Sequence, residues 1–432
     1  MISRLTQGNR RAFLGYGCRG AGAITMFSML GRVGLAQARM PELTDLDAVI
    51  DRLVSGRLAP GAVAAYGDGA HAPRFLQSGT LAFDRTQLAG PDTLWRIYSQ
   101  TKLIAGMSAM VLIDQKKLGL DTAVADLLPE FRRMRVLTDP ASLSSKPARR
   151  AMTVRHLITH TNGLAYGAST KGPLLAELRR LGLNSSAARP GARDGASGAR
   201  RLPMVTSLKE YAERLATLPL VAEPGSRWDY SAGTDIIGRV VEVVSGKPFD
   251  TFLSDTFFRP LGMSSTYFQV PISERTRFAT NYAMSGDARI PVDPGATSSY
   301  LSAPPFISGG GGLVSTARDY DRFLTLLANR GTLGGITIMS PETAMLGMSN
   351  LLPPEVDPAS LVALVDGQGF GAGGRVDLTG PGKGTYGWGG AAGSDARVNP
   401  FTARRAAAYI NVLGQYVFGP TLIKLVGSAA AG

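Results

Sequence analysis

The sequence predicts an α+β fold in which both ends of the chain build one sheet and an all-helical lobe is inserted between them. Three observations carry that expectation. Near the start, "PGAVAAYGDG" and "PRFLQSGTLAF" read as two strands around a Gly-rich turn. Near the end, "GTYGWGGAAGSDARVNP" and "RRAAAYINVLG" read as adjacent strands joined by a turn. Between them, from about 126 to 290, the texture is helical and loopy, with apolar residues at three- and four-residue spacing. At 432 residues and 44% hydrophobic content the chain can bury a large core, enough for two lobes.

The first 38 residues are a separate object. Arg10 and Arg11 are followed by Phe13 and Leu14, then by a Gly- and Ala-rich apolar stretch ending in Ala36-Gln37-Ala38. That order predicts a twin-arginine export signal with an A-x-A cleavage site, and hence a periplasmic protein, a cytoplasmic one being the alternative. The stretch between Arg19 and Arg32 is shorter than the roughly 20 apolar residues a bilayer span needs, so no stable membrane span is expected. Cys18, the only cysteine, would leave with the signal, and with it any disulfide, thiol nucleophile or cysteine-ligated metal. Residues 1–38 carry five Arg and no acid, so the formal net charge of +13 falls to +8. Residues 170–201 hold another +5, from seven Lys or Arg against two acids. Basicity this local argues against a nucleic-acid partner.

The elements follow in order. "LTDLDAVIDRLVSGRL" spaces Leu43, Leu46, Val49, Ile50 and Leu53 along one face of a helix. After the hairpin comes "RIYSQTKLIAGMSAMVLIDQKKLGL", an apolar helix opened by Ser99 and Lys102. "MTVRHLITHTNGL" and "TDIIGRVVEVVSGKPFDTFLSDTFFRPLGM" are helical, with "PLGM" as a stop. "NSSAARPGARDGASGARRLP", residues 184–203, has no hydrophobic period and reads as a disordered basic surface insertion. "SGGGGLVSTARDYDRFLTLLANRG" is a glycine-rich approach to an amphipathic helix.

Lysine is kept off the inner face of a buried helix unless it is held there, because desolvating an ammonium is costly. Ser99 and Lys102, three apart, share a face and put an amine within reach of a hydroxyl. Burial penalises the charged amine and would make it a base for serine. In "EPGSRWDYSAGTDIIG", Tyr230 stands on a short loop before a helix, where a phenol near an ammonium is stabilised as phenolate and can shuttle protons. In "YGWGGAAG", glycines beside a strand let a substrate lie against backbone N–H groups.

Together these pieces resemble the serine β-lactamase and penicillin-binding-protein superfamily, and within it the family VIII carboxylesterases. "LWRIYSQTK" is similar to its nucleophile motif, and "TVRHLITHTNGL", the Tyr230 block, "GGGGLVSTARDYDRFLTLLANRGTLGGITIMSPET" and "YGWGGAAG" to its later landmarks. The resemblance implies a β-lactamase/transpeptidase-like domain from 39 to 432, its antiparallel sheet flanked by helices and its helical lobe at about 126–290. It implies Ser99 as the acylated nucleophile, Lys102 helping to deprotonate it, and Tyr230 as general base and then acid. It also implies an oxyanion hole from the backbone N–H groups of Ser99 and Ala391, with Trp388, Gly389 and Gly390 lining the substrate strand, and no cofactor.

Two departures bear on substrate. Trp388 stands where lactamases and carboxypeptidases carry a lysine that binds a carboxylate, and Ala232 where the lactamase pattern has Asn. Both changes remove recognition of charged peptide-like substrates and leave an apolar wall, so an uncharged small-molecule carboxylic ester is the expected substrate. A peptidase or amidase acting on D- or unusual-residue peptides, a weak β-lactamase or acyltransferase, and a catalytically inactive wall-binding scaffold are the rival readings. His156 and His160 share a helical face, but "HLITH" lacks the Glu of a zinc-protease motif, which makes both structural residues here. No G-x-S-x-G elbow occurs, and the glycine spacing of "GPGKGT" is not that of a P-loop.

Overall fold

The computed structural model describes residues 43–183, 204–364 and 367–427. The expected export signal with Cys18, and the basic insertion 184–203, lie outside the described residues. The principal elements are α1 (Thr44–Ser55), β1 (Gly61–Asp68), β2 (Arg74–Gly79), α2 (Thr101–Asp114), α3 (Val154–Ile158), α4 (Gly233–Ser245), α5 (Ala317–Ala328), β3 (Gln368–Phe370), β4 (Arg375–Asp377), β5 (Tyr386–Gly389), β6 (Asp395–Asn399), β7 (Arg404–Tyr409) and α6 (Gly419–Val426).

Strands from both ends of the chain do meet. One antiparallel sheet runs in the order β3-β4-β5-β6-β7-β1-β2, and its fifth joint pairs the last strand with the first, Val63 opposite Tyr409. Every strand residue of β1 up to Gly67 is buried, because both faces are covered. The two-residue period sorts them: Ala62, Ala64 and Tyr66 join Leu46, Ile50 and Leu53 of α1 and Leu422 and Val426 of α6, while Val63 and Ala65 join the core around α2 and α5.

α2 explains the apolar run that opens at Ser99. Twelve of its 14 residues are buried, as expected of a helix apolar on all sides. It also lies against backbone. A Cβ on Gly106 would stand 2.1 Å from the Ala372 carbonyl, and one on Gly373 would stand 2.1 Å from the Lys102 carbonyl. The turn between β3 and β4 is therefore pressed onto the first turns of the helix that carries Lys102.

The stretch from 126 to 290 is not all-helical. It contains two antiparallel ribbons, 135–139 with 144–147 and 281–285 with 288–293. Three of the four strands are largely exposed and the fourth, 281–285, buries only Asn281 and Tyr282, so they leave no hydrophobic period to read. Their turns do carry local signals. The Asp139 carboxylate accepts from the Ala141 N–H and the Ser142 hydroxyl, and Gly286 takes φ 57° at the second turn. The long expected helix after Tyr230 is broken as well: α4 stops at Gly246 with φ 70°, and the chain restarts a helix at Phe249, after Pro248. "PLGM" ends that segment with Gly262 at φ 66°. No helix among the described residues is long and apolar enough to cross a membrane.

Candidate active site

Ser99 sits on a single 3-10 turn, Tyr98–Gln100, that runs directly into α2. The turn is entered through a short ladder, Trp95–Arg96 against Val314–Ser315, and through Tyr98, whose φ of 43° is unusual for a residue with a side chain. The Tyr98 hydroxyl accepts from Asn281 Nδ2 at 2.8 Å, which holds that backbone in place. Strain of this kind persists where the surroundings over-determine the conformation.

From this turn the three side chains singled out in the sequence converge. The Tyr230 hydroxyl donates to Ser99 Oγ at 2.7 Å, and Lys102 Nζ reaches the same oxygen at 3.4 Å. Lys102 is fully buried. Its amine donates to the Gly310 carbonyl at 2.5 Å and lies 4.7 Å from the centre of the Tyr230 ring and 5.7 Å from that of Tyr166. The Gly310 loop is itself held by a buried carboxylate: Asp235 Oδ1, in the first turn of α4, accepts from Ser308 Oγ at 2.7 Å and from the Gly310 N–H at 2.9 Å. The "GGGG" run has a steric reason here, since a Cβ on Gly310 would stand 2.5 Å from Asp235 Oδ2. Sequence reasoning saw the glycines but not what they pack against.

Tyr230 departs from expectation in one respect. Burial pushes its phenol up to about 12, outweighing the hydrogen bonds with Ser99 and Trp388 that act the other way. At rest it is a protonated donor and not a phenolate. Trp388 contributes more than an apolar wall. Its indole Nε1 donates to the Tyr230 hydroxyl at 3.3 Å, and its ring stacks on the phenol with centroids 5.7 Å apart. The phenolic oxygen thus accepts from one side and donates on the other, a fixed orientation for a proton-transfer group.

Behind Tyr230 lies a polar hub that the spacing of "HLITHTNGL" did not disclose. His160 Nδ1 accepts from the Ser231 N–H at 3.2 Å and lies 2.9 Å from Ser231 Oγ, and Asn162 Nδ2 donates to Ser231 Oγ at 2.8 Å. The His160 ring packs 4.7 Å from the Tyr230 ring, with its backbone at φ 59°. His156 works locally, its Nδ1 accepting the Thr153 N–H in a capping box at the start of α3. Burial pushes His156 down to about 4 and holds His160 well below the usual imidazole range, the charge of Lys102 adding to the second. Because both rings are neutral in the fold and protonate near 6.5 when unfolded, their contribution to stability is full above about pH 6.5 and is lost as pH falls toward 4. The urea midpoint should therefore decline steadily over that range. A midpoint flat from pH 7 to pH 5 would show that the folded protein accommodates both imidazolium ions.

The strand β5 and the turn after it supply the remaining wall. Gly390 brings that turn onto the strand before Ser99: a Cβ there would stand 2.3 Å from the Ile97 carbonyl. The Gly390 N–H is used internally, donating to the Ser394 carbonyl at 2.8 Å, whereas among the described residues no protein acceptor takes the Ala391 N–H. An amide that no protein acceptor takes is what an oxyanion hole requires. Ala232 is fully buried at the start of α4 and so presents no group for hydrogen bonding to a substrate. Among the described residues no group of His, Cys, Asp and Glu is arranged to hold a metal ion.

A serine, an amine and a phenol in mutual contact beside an unengaged backbone amide form a nucleophile with its own proton carriers. Comparison with known proteins places the chain. The family model described as Beta-lactamase matches residues 46–431. Protein Rv1367c of Mycobacterium tuberculosis is 34% identical over 322 residues, 72% of this chain and 75% of that protein. Esterase EstB of Burkholderia gladioli is 32% identical over 304 residues, 67% of this chain and 71% of that protein. Among solved structures, EstCE1, described as a hydrolase with promiscuous acyltransferase activity, superposes with a TM-score of 0.70 at 26% identity, covering 89% of this chain and 97% of its own.

Proposed function

We propose that this chain, which belongs to the Beta-lactamase family, is a carboxylesterase that works through an acyl-enzyme on Ser99. The family and its esterase members make it a hydrolase or acyl-transfer enzyme. One observation carries the finer reading: Tyr230 and the buried Lys102 both contact Ser99 Oγ, while the substrate strand presents Trp388 and no ammonium.

In this reading the reacting form of the Lys102–Tyr230 pair is one proton short, and Ser99 Oγ attacks the ester carbonyl carbon as its proton passes into that pair. The carbonyl oxygen becomes an oxyanion held by the Ser99 and Ala391 amides. Collapse breaks the bond to the alcohol oxygen, which takes a proton from the Tyr230 hydroxyl and leaves. Water then attacks the acyl carbon, giving its proton to Tyr230, and the acid is released as Ser99 recovers its own. An alcohol can take the place of water, and the description of EstCE1 as a hydrolase with acyltransferase activity supports that second outcome.

The test is a panel of nitrophenyl esters, D-amino-acid amides and nitrocefin on the purified protein, with fluorophosphonate labelling to locate the nucleophile. Ester turnover should exceed nitrocefin and amide turnover by more than about tenfold, since the lactam-carboxylate lysine is absent. Nitrocefin turnover within tenfold of the best ester would overturn the ester reading, and absence of labelling at Ser99 would overturn the mechanism. Export through the twin-arginine motif at Arg10 and Arg11 belongs to the same proposal. Its check is cell fractionation of the intact chain against an Arg10→Lys, Arg11→Lys variant.

A further inference from the structure

The substrate wall contains a cation that the chemistry above does not use. Arg375, the first residue of β4, pairs across the sheet with Gly387, the residue before Trp388. Its guanidinium carbon lies 5.5 Å from the centre of the Trp388 ring, the same ring that stacks on Tyr230. The side chain is half-buried, with Nε fully covered, yet among the described residues the guanidinium donates no hydrogen bond and joins no ion pair.

Nearby acids are already engaged. Asp395 is in an ion pair with Arg397 at 2.7 Å, and Asp377 accepts from Gln368 Nε2 at 2.5 Å. Arg397 adds like charge to the burial that pushes Arg375 down to about 10. Asp395, Asp377 and the Trp388 ring offset only part of the desolvation cost of this arginine, and among the described residues no acceptor takes its N–H groups. Its planar fork of donors matches a carboxylate, and it stands one strand away from position 388, where the family's lysine would have been.

We propose that Arg375 is a substrate-binding residue for a carboxylate, so that the preferred esters carry a negative charge on the acyl or the alcohol part. This rests on the esterase reading and deepens it: the carboxylate recognition lost at Trp388 is relocated to the neighbouring strand. Position 388 alone suggested an uncharged substrate.

The experiment compares matched esters. On the acyl side these are 4-nitrophenyl hexanoate and the 4-nitrophenyl monoester of adipic acid. On the alcohol side they are phenyl hexanoate and 4-hexanoyloxybenzoate. For at least one pair the charged ester should have the higher kcat/KM, and that advantage should shrink as salt is raised. Arg375→Gln should lower kcat/KM for that charged ester by roughly 10- to 100-fold, mostly through KM, and change the neutral esters less than about threefold. Arg375→Lys, which keeps the charge, should recover part of the loss. Equal losses on charged and neutral esters, or a salt-independent preference for neutral esters in the unmodified protein, would overturn the inference. The salt series on the unmodified protein decides the matter even if the variants do not fold. Turnover of neutral esters without any charge preference sinks only the role of Arg375, whereas absence of all ester turnover and of labelling at Ser99 sinks the esterase reading itself.

Discussion

Ser99→Ala should leave ester turnover at background, a loss of at least about 10⁴-fold in kcat, while the protein stays folded. The size follows from the geometry. Tyr230 and Lys102 both direct their polar atoms at Ser99 Oγ, so removing that oxygen removes the atom on which every later step depends. The fold loses little. Lys102 keeps the Gly310 carbonyl and Tyr230 keeps the Trp388 indole, so neither buried group is left without a partner. The change in unfolding free energy should stay within about 1 kcal/mol. Tyr230→Phe should cost kcat roughly 10²- to 10⁴-fold, the range of a lost general acid–base. Retention of ester turnover within tenfold in Ser99→Ala, measured with the urea midpoint as a control for folding, would place the nucleophile elsewhere.

What the sequence discloses here depends on how local the cause is. The short apolar runs of β1 and β7 and the all-round apolarity of α2 are properties of short segments, and both survive into the structure. The S-x-x-K spacing works for the same reason: a helical turn brings Ser99 and Lys102 together without help from the rest of the chain. Tyr230 could be placed only by resemblance, because 131 residues separate it from Ser99 and no periodicity spans that gap. The exposed ribbons at 135–147 and 281–293 stayed hidden because their strands bury too little to impose a pattern. The phenol's protonation was misjudged for a related reason. A nearby amine can be inferred from the motif, but the burial that raises the phenol comes with Trp388, His160 and Tyr166, which arrive from three other parts of the chain. Asp235 and Arg375 look like ordinary charges on a helix and a strand until the loop and the ring they face are in place.

Arg96→Met should destabilise the fold by about 3 to 5 kcal/mol, read as a fall in the urea midpoint at unchanged slope. Arg96 is fully buried three residues before Ser99 and makes five side-chain hydrogen bonds. Nε donates to Asp293 Oδ2 at 2.7 Å, Nη1 to the Ala279 carbonyl at 2.6 Å and Asn411 Oδ1 at 3.0 Å, and Nη2 to the Asp293 carbonyl and Ser298 Oγ, each at 2.9 Å. The guanidinium also lies 4.1 Å from the centre of the Phe278 ring. It therefore joins the nucleophile's strand to the 281–293 ribbon and to the residue pair that follows β7. Methionine fills similar space but leaves those acceptors buried without a donor, and this orphaning, more than the lost ion pair, sets the cost. Asp293 retains Ser298 Oγ and Ser299 N–H, which keeps the loss toward the lower end of the range. Arg96→Lys should also cost more than about 1.5 kcal/mol, because a single ammonium cannot reach acceptors distributed around a planar fork. If lysine restored the midpoint fully, charge alone would be sufficient and the geometric account of Arg96 would fail. If methionine left it unchanged, the acceptors would have to find other donors, and the strand entering Ser99 would be held by its backbone ladder alone.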